Sequence, residues 1–211
     1  MLIRFEPEEI NFDNNEITRL LSQGRKNKGL STSMLKELEL MKNEARLLIE
    51  PMAVYAYFNT VNLPKSPCFE ESEKVALAIC TIGHSLPNKV KKLMKEGYLS
   101  RGVILDAIGS ACAEFVAELV NKRVNQEAKD LSLQYSERYS PGYCEWALSN
   151  QKLFFNLLPA EEINVKLTES YLMIPVKSVS FAINLGAHIA ESRWENRCNY
   201  CENEDCSYRR W

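Results

Sequence analysis

LSLQYSERYSPGYCEWALSNQKLFFNLLPAEEINVKLTESYLMIPVKSVSFAINL, residues 131–185, decides the fold. Its apolar runs are too short for long helices and are broken by turn residues. Residues 131–135 alternate, as a half-buried strand does. Residues 138–143 form a polar turn around Pro141-Gly142. Residues 151–158 read as a short helix stopped by Pro159. Residues 165–167, 171–174 and 179–185 read as strands, and Pro175 sends the second of these to an edge or a bulge.

The pattern upstream is different. Residues 2–5 predict a short strand, and Asn14 or Asn15 a cap for a short helix holding Ile17, Leu20 and Leu21. Residues 23–30, QGRKNKGL, read as a solvated basic loop. Ser31 or Ser33 caps a helix to about residue 50, with Leu35, Leu38, Met41, Ala45, Leu48 and Ile49 at helical spacing and Pro51 beyond. Residues 53–58 and 75–82 read as strands. Ser85 and Pro87 open a short helix closed by Gly97. The longest helix spans about residues 100–129. Its run Ala107-Ile108-Gly109-Ser110-Ala111-Cys112-Ala113 gives up ~1 kcal/mol of helix propensity at Gly109. Close approach of another element, such as the sheet, compensates. The sum is an α+β fold with a mainly antiparallel sheet.

Composition narrows the function classes. The 211 residues carry 26 Lys+Arg against 28 Asp+Glu, a net charge of −2. That balance argues against a nucleic-acid binder. The longest stretches free of charge, residues 51–64 and 75–88, fall short of the ~20 apolar residues of a membrane span. Acids occupy the place of a signal-peptide core in MLIRFEPEEINF, so the expected location is cytoplasmic.

Three motifs say more. Arg138-Tyr139-Ser140-Pro141-Gly142-Tyr143 is followed by Leu167-Thr168-Glu169-Ser170, and then, after Pro175, by Lys177-Ser178-Val179-Ser180. In order and spacing the chain resembles the activation domain of cobalamin-dependent methionine synthase. That family carries an Arg-x-x-x-Gly-Tyr motif, then Leu-Thr-Glu-Ser, then Ser-Val-Ser. The long small-residue helix with Glu114 and Glu118 fits as well. The resemblance runs from about residue 34 to 190 and is most secure over 131–180.

The resemblance implies a C-shaped, mainly antiparallel sheet flanked by helices, and a shallow S-adenosylmethionine site made by Arg138, Ser140, Gly142 and Tyr143. It implies a reactivation role: reductive methylation of cob(II)alamin with an electron from a flavodoxin- or ferredoxin-like donor. The residue types suit that ligand. Arg138 grips a carboxylate through a planar fork. Gly142 lets backbone approach without a Cβ. Tyr143 offers an aromatic face and a hydroxyl. Reduced cobalt is the nucleophile, so the domain supplies the methyl-donor site and no catalytic side chain.

Local chemistry gives plainer expectations for several neighbours. An Arg before a Pro-Gly turn is ordinarily a surface residue, and only the companion motifs overturn that. Thr168, Glu169 and Ser170 are expected to brace a turn, and Lys177 to face solvent. His84 and His188 have no readable partner and are not expected to be catalytic bases. Family members also carry acids upstream of the Arg motif, whereas residues 132–136 hold none and only Glu137 adjoins Arg138.

No Asp-x-His-x-x-Gly corrinoid motif occurs. The cobalamin is therefore expected on a separate partner, a cobalamin-binding methionine synthase chain or another corrinoid protein. Residues 1–190 read as one activation-like domain and 191–211 as a cysteine-containing tail. An odd count of seven cysteines argues against a disulfide framework. Cys198, Cys201 and Cys206 have spacing suited to a metal, zinc or an iron–sulfur cluster, with a fourth ligand from Cys144, His188 or another chain. Two other functions stay open: an iron–sulfur electron-transfer activator of a corrinoid methyltransferase, and a docking module without a ligand.

Overall fold

The computed structural model describes residues 1–22, 30–69, 72–143 and 146–189. The expectations for the basic loop over 23–29, for Cys144 and for the tail over 191–211 lie outside the described residues.

The chain begins with strand β1 (Leu2–Arg4) and helices α1 (Asn14–Leu21) and α2 (Thr32–Leu48). The α1 cap is Asp13 rather than an asparagine; its side chain accepts from Asn15 N at 2.9 Å. Ser31 caps α2 through Met34 N, satisfying a donor that the helix leaves orphaned. Strands β2 (Met52–Asn59) and β3 (Lys74–Thr81) follow, then α3 (Ser85–Lys95), which ends before Gly97 at φ +85°. Helix α4 (Leu99–Asp130) has 32 residues, about 48 Å at 1.5 Å per residue. Short elements complete the fold: β4 (Gln134–Tyr135), α5 (Gln151–Leu157), β5 (Lys166–Leu167) and β6 (Met173–Ile174). The long strand β7 (Ser178–Gly186) closes it.

Five strands form one antiparallel sheet in the order β1-β2-β3-β7-β4, and β5 pairs with β6 in a separate hairpin. The fold is α+β, as the alternation of element types predicts. β3 and β7 do not alternate apolar with polar, because both faces of the sheet are covered. Ala76, Ala78, Cys80, Phe181, Ile183 and Leu185 face a core built with α1 to α4. Val75, Leu77, Ile79 and Ala182 face a second core that holds Tyr139, Trp146, Phe154 and Ile163.

The small-residue run of α4 packs in one core with β3 and β7, and within it Gly109 meets α3. A Cβ on Gly109 would lie 2.6 Å from Leu86 Cδ2 of α3, with the stem of Lys177 as its next neighbour at 3.4 Å. The tightness at Gly109 therefore sets how close α3, and with it the chain around Lys177, can come to α4.

Candidate functional site

Arg138 reaches its place through a slip in strand register. β4 pairs with β7 at Tyr135↔Leu185, and the next bridge is Tyr139↔Ala182. Four steps along one strand thus match three along the other, which makes a bulge. Ser136 fills it. Its backbone N donates to Asn184 O, its Oγ accepts from Asn184 N, and that hydroxyl donates to Glu137 O. Beyond the bulge, Tyr139 and Arg138 go to opposite faces of the sheet. The Tyr139 hydroxyl sits in the second core, 2.7 Å from Asn184 Oδ1 and 3.0 Å from Cys68 O.

Arg138 goes to the α4 face. Its guanidinium lies over the Phe181 ring, 5.6 Å from the centroid. Its Nη2 donates to Glu114 Oε2 at 2.6 Å, and its Nε lies 4.0 Å from Glu118 Oε2. Burial opposes the charge most strongly, but the two carboxylates outweigh it and hold the guanidinium above its ordinary pKa. Arg138 is therefore a half-buried, ion-paired cation. The acids that answer it come from the helix 20 and 24 residues upstream, not from the segment preceding the motif.

The turn after Arg138 is clamped by a buried aromatic. Gly142 N donates to Trp146 O at 2.7 Å, and Trp146 N donates to Tyr143 O at 3.1 Å. Trp146 packs on Tyr139, Phe154 and Phe69, with ring centroids 5.1 to 5.9 Å apart. Gly142 has φ +91°, and a Cβ there would approach Leu148 Cδ1 to 3.1 Å. Glycine is thus needed by the backbone itself. Tyr143 is 61% exposed at the tip of the turn, while Ser140 is half-buried. Arg138, Ser140, Gly142 and Tyr143 thus share one clamped turn that faces α4 at one end and solvent at the other.

One stripe of α4 is polar. Asp106, Ser110, Glu114 and Glu118 recur every fourth residue, so they share a face. Lys177 Nζ donates to Ser110 Oγ at 2.7 Å and to Asp106 Oδ1 at 2.8 Å, and its side chain is only 12% exposed. This corrects the expectation of a solvent-facing lysine: the chain leading into β7 lies against α4, and Asp106 and Ser110 wait there. Three carboxylates and two cations line the stripe, for a net charge of 2 − 3 = −1.

Thr168 and Ser170 brace the β5–β6 hairpin. The Thr168 hydroxyl accepts from Leu172 N at 3.0 Å and lies 3.0 Å from Ser170 Oγ. His84 has a partner that the sequence did not disclose, since its Nε2 lies 3.0 Å from Asn164 O. A second polar cluster was also missed. Tyr55 and Tyr57 of β2 donate to the two oxygens of Glu127 at 2.9 and 2.6 Å, and Arg123 donates to the same carboxylate. The signal was the i, i+2 tyrosine pair on one strand face, which has no meaning until α4 is laid across it.

Among the described residues no three His, Cys, Asp or Glu side chains are placed to hold a metal ion, and no helix is long and apolar enough to cross a membrane. Cys198, Cys201 and Cys206 lie outside those residues.

Comparison with known proteins adds two findings. A family model described as "Vitamin B12 dependent methionine synthase, activation domain" matches residues 65–194. The fold is similar to a solved structure described as "Crystal Structure of the MetH Reactivation Domain bound to AdoHcy", at a TM-score of 0.65 and 14% identity, covering 87% of this chain and 77% of that one. No curated protein matches the sequence.

Proposed function

The chain belongs to the family of vitamin B12-dependent methionine synthase activation domains, and from that premise we propose that it binds S-adenosylmethionine at Arg138, Ser140, Gly142 and Tyr143 for reactivation of a cobalamin carried outside these residues. The observation that carries this is the pairing of Arg138 with Glu114 at 2.6 Å, with Glu118 close by. A free amino-acid head group bears one ammonium and one carboxylate. It can enter such a pair with charge conserved, its carboxylate on Arg138 and its ammonium on Glu114 and Glu118. One ion pair is exchanged for two, and no lone charge is left buried.

A structure of the same fold is described as bound to AdoHcy, the product left when S-adenosylmethionine gives up its methyl group. The partner's cobalamin supplies the nucleophilic cobalt, and a flavodoxin- or ferredoxin-like donor supplies the electron. The residues of this chain bind and orient the methyl donor. Exposed Tyr143 gives the adenine a face to stack on at the mouth of the site.

The test is calorimetric titration with S-adenosylmethionine. Arg138→Ala should lower affinity ~10- to 100-fold, the worth of a hydrogen bond to a charged group. Unchanged affinity in the variant would reject the site.

Residues 1–190 constitute the ligand-binding domain in this reading, and Cys198, Cys201 and Cys206 a separate metal centre. Three thiolates at this spacing favour zinc or an iron–sulfur cluster. A cluster would also serve the electron-transfer alternative. Metal and sulfide analysis after anaerobic purification decides it, and metal-free, colourless protein removes the centre.

A further inference from the structure

Asn121 stands one turn beyond Glu118 on the polar stripe of α4, and it is 7% exposed. Its Nδ2 donates to Glu118 Oε2 at 3.2 Å, the same oxygen that lies 4.0 Å from Arg138 Nε. Its Oδ1 is buried and has no hydrogen-bond donor among the described residues. Turning the amide over does not relieve this. A carboxylate only accepts, so Oδ1 would then face Glu118 and the orphan would become a repulsion. Glu118 therefore fixes the amide with its acceptor pointed away from the carboxylate.

A buried acceptor without a donor costs stability, whereas an apolar side chain of the same shape would not. Val120 and Val124, neighbouring residues on the helix, are fully buried. No described residue uses the Asn121 oxygen. Around Arg138 the stripe presents two carboxylates and this amide oxygen against one guanidinium, so what it lacks is a donor.

We propose that Asn121 is a ligand-binding residue whose Oδ1 accepts a proton of the ammonium on the bound amino-acid head group. This rests on the reading of the site as one for S-adenosylmethionine. Glu114 and Glu118 supply charge to that ammonium. Asn121 supplies direction, because its acceptor is held by the hydrogen bond to Glu118. The residue thereby selects ligands that carry an α-amino group.

The test compares wild-type protein, Asn121→Leu and Asn125→Leu by calorimetric titration with S-adenosylhomocysteine and with its analogue lacking the α-amino group. Asn125 is the control: its Oδ1 is also buried and orphaned, but it stands about two helical turns from Glu118. Asn121→Leu should lose ~10-fold or more in affinity for S-adenosylhomocysteine, and Asn125→Leu should lose none. Deleting the ligand's amine should cost the wild type ~10-fold more than it costs Asn121→Leu. The thermal midpoint without ligand reports folding, and Asn121→Ala replaces the leucine variant if that one fails to fold. Wild-type affinity in Asn121→Leu, or an equal amine penalty in both proteins, overturns the assignment and leaves the site intact. Absence of binding by the wild type overturns both.

Discussion

Arg138 and Glu114 are 24 residues apart in sequence and 2.6 Å apart in space, and their ion pair joins the motif turn to α4. Besides its place in the proposed ligand site, the pair serves stability. Arg138→Met keeps most of the stem packed on Phe181 but strands the carboxylates, so it should lower stability by ~1–3 kcal/mol, less than for a fully buried pair because Glu114 is 40% exposed. Arg138→Lys should recover most of that loss and little of the affinity, since lysine keeps the charge without the planar fork. Chemical denaturation beside ligand titration separates the two effects. Equal recovery of both would reject a role for fork geometry.

The Glu127 cluster makes stability depend on pH at both extremes. Burial alone would raise the Glu127 pKa. Hydrogen bonds from Tyr57, Tyr55 and Arg123 outweigh it and hold the carboxyl below the ordinary glutamate range. Its contribution is present above that range and is lost as pH falls through the lowered value. Burial, then Glu127, pushes the Tyr55 phenol up to about 12. That contribution is full below the ordinary tyrosine value of about 10 and is lost as pH rises through the raised one. Glu127→Gln should flatten the acid limb of stability against pH and move the Tyr55 phenolate transition downward, as read by ultraviolet absorbance.

Gly109 offers a packing test. Alanine there gains ~1 kcal/mol of helix propensity. It also drives a Cβ to within 2.6 Å of Leu86, whose side chain is fully buried and has little room to turn. Overpacking should prevail, with Gly109→Ala losing ~1–2 kcal/mol net. Adding Leu86→Ala should cost less on this background than on the wild type. Additive losses in that cycle would show that the two residues do not meet.

Tyr139→Phe removes the hydroxyl that joins the motif turn to Asn184 and Cys68. Asn184 is buried and still holds Cys68 O through its Nδ2 at 2.8 Å, so the loss should be ~1–3 kcal/mol and not a collapse. Ligand affinity should fall with it, because Arg138 is the next residue. A destabilised variant with full affinity would show that the turn is held by Trp146 alone.

Cys80 and Cys112 should resist alkylation until the protein unfolds. Burial raises both thiols, Cys112 to about 12, so the reactive thiolate is scarce at neutral pH. Mass spectrometry after a short pulse of iodoacetamide, in native buffer and in denaturant, measures this. Rapid native labelling at Cys112 would contradict its placement under α4's neighbours.

The elements legible in the sequence were those with local causes. Ser31, Pro51, Gly97 and Pro159 mark ends by their own backbone chemistry, and the structure stops or starts helices beside each of them. The length of α4 and the position of β7 followed from apolar runs. What the sequence hid was partnership across distance. Lys177 reads as solvent-facing until Asp106 and Ser110 are laid against it, 67 or more residues upstream. The resemblance points to acids just upstream of the motif, where residues 132–136 hold none, whereas the carboxylates that pair with Arg138 stand on α4. The motif turn itself was legible because its proline and glycine act locally. Its ion pairs were not.

The antiparallel partnership of β3 with β7 also has a consequence for the order of events during folding. Its register joins Thr81 to Ser178 and Lys74 to Leu185, positions about a hundred residues apart, and loop closure over such a span is slow. The motif turn is bridged to β7 at Ala182, so it cannot mature before that strand arrives. A ribosome must release nearly the whole described chain first. Maturation of the motif turn is therefore a late event in the life of the polypeptide, and a chain cut short before β7 would lose the core face of Phe181, Ile183 and Leu185 along with the turn's anchor.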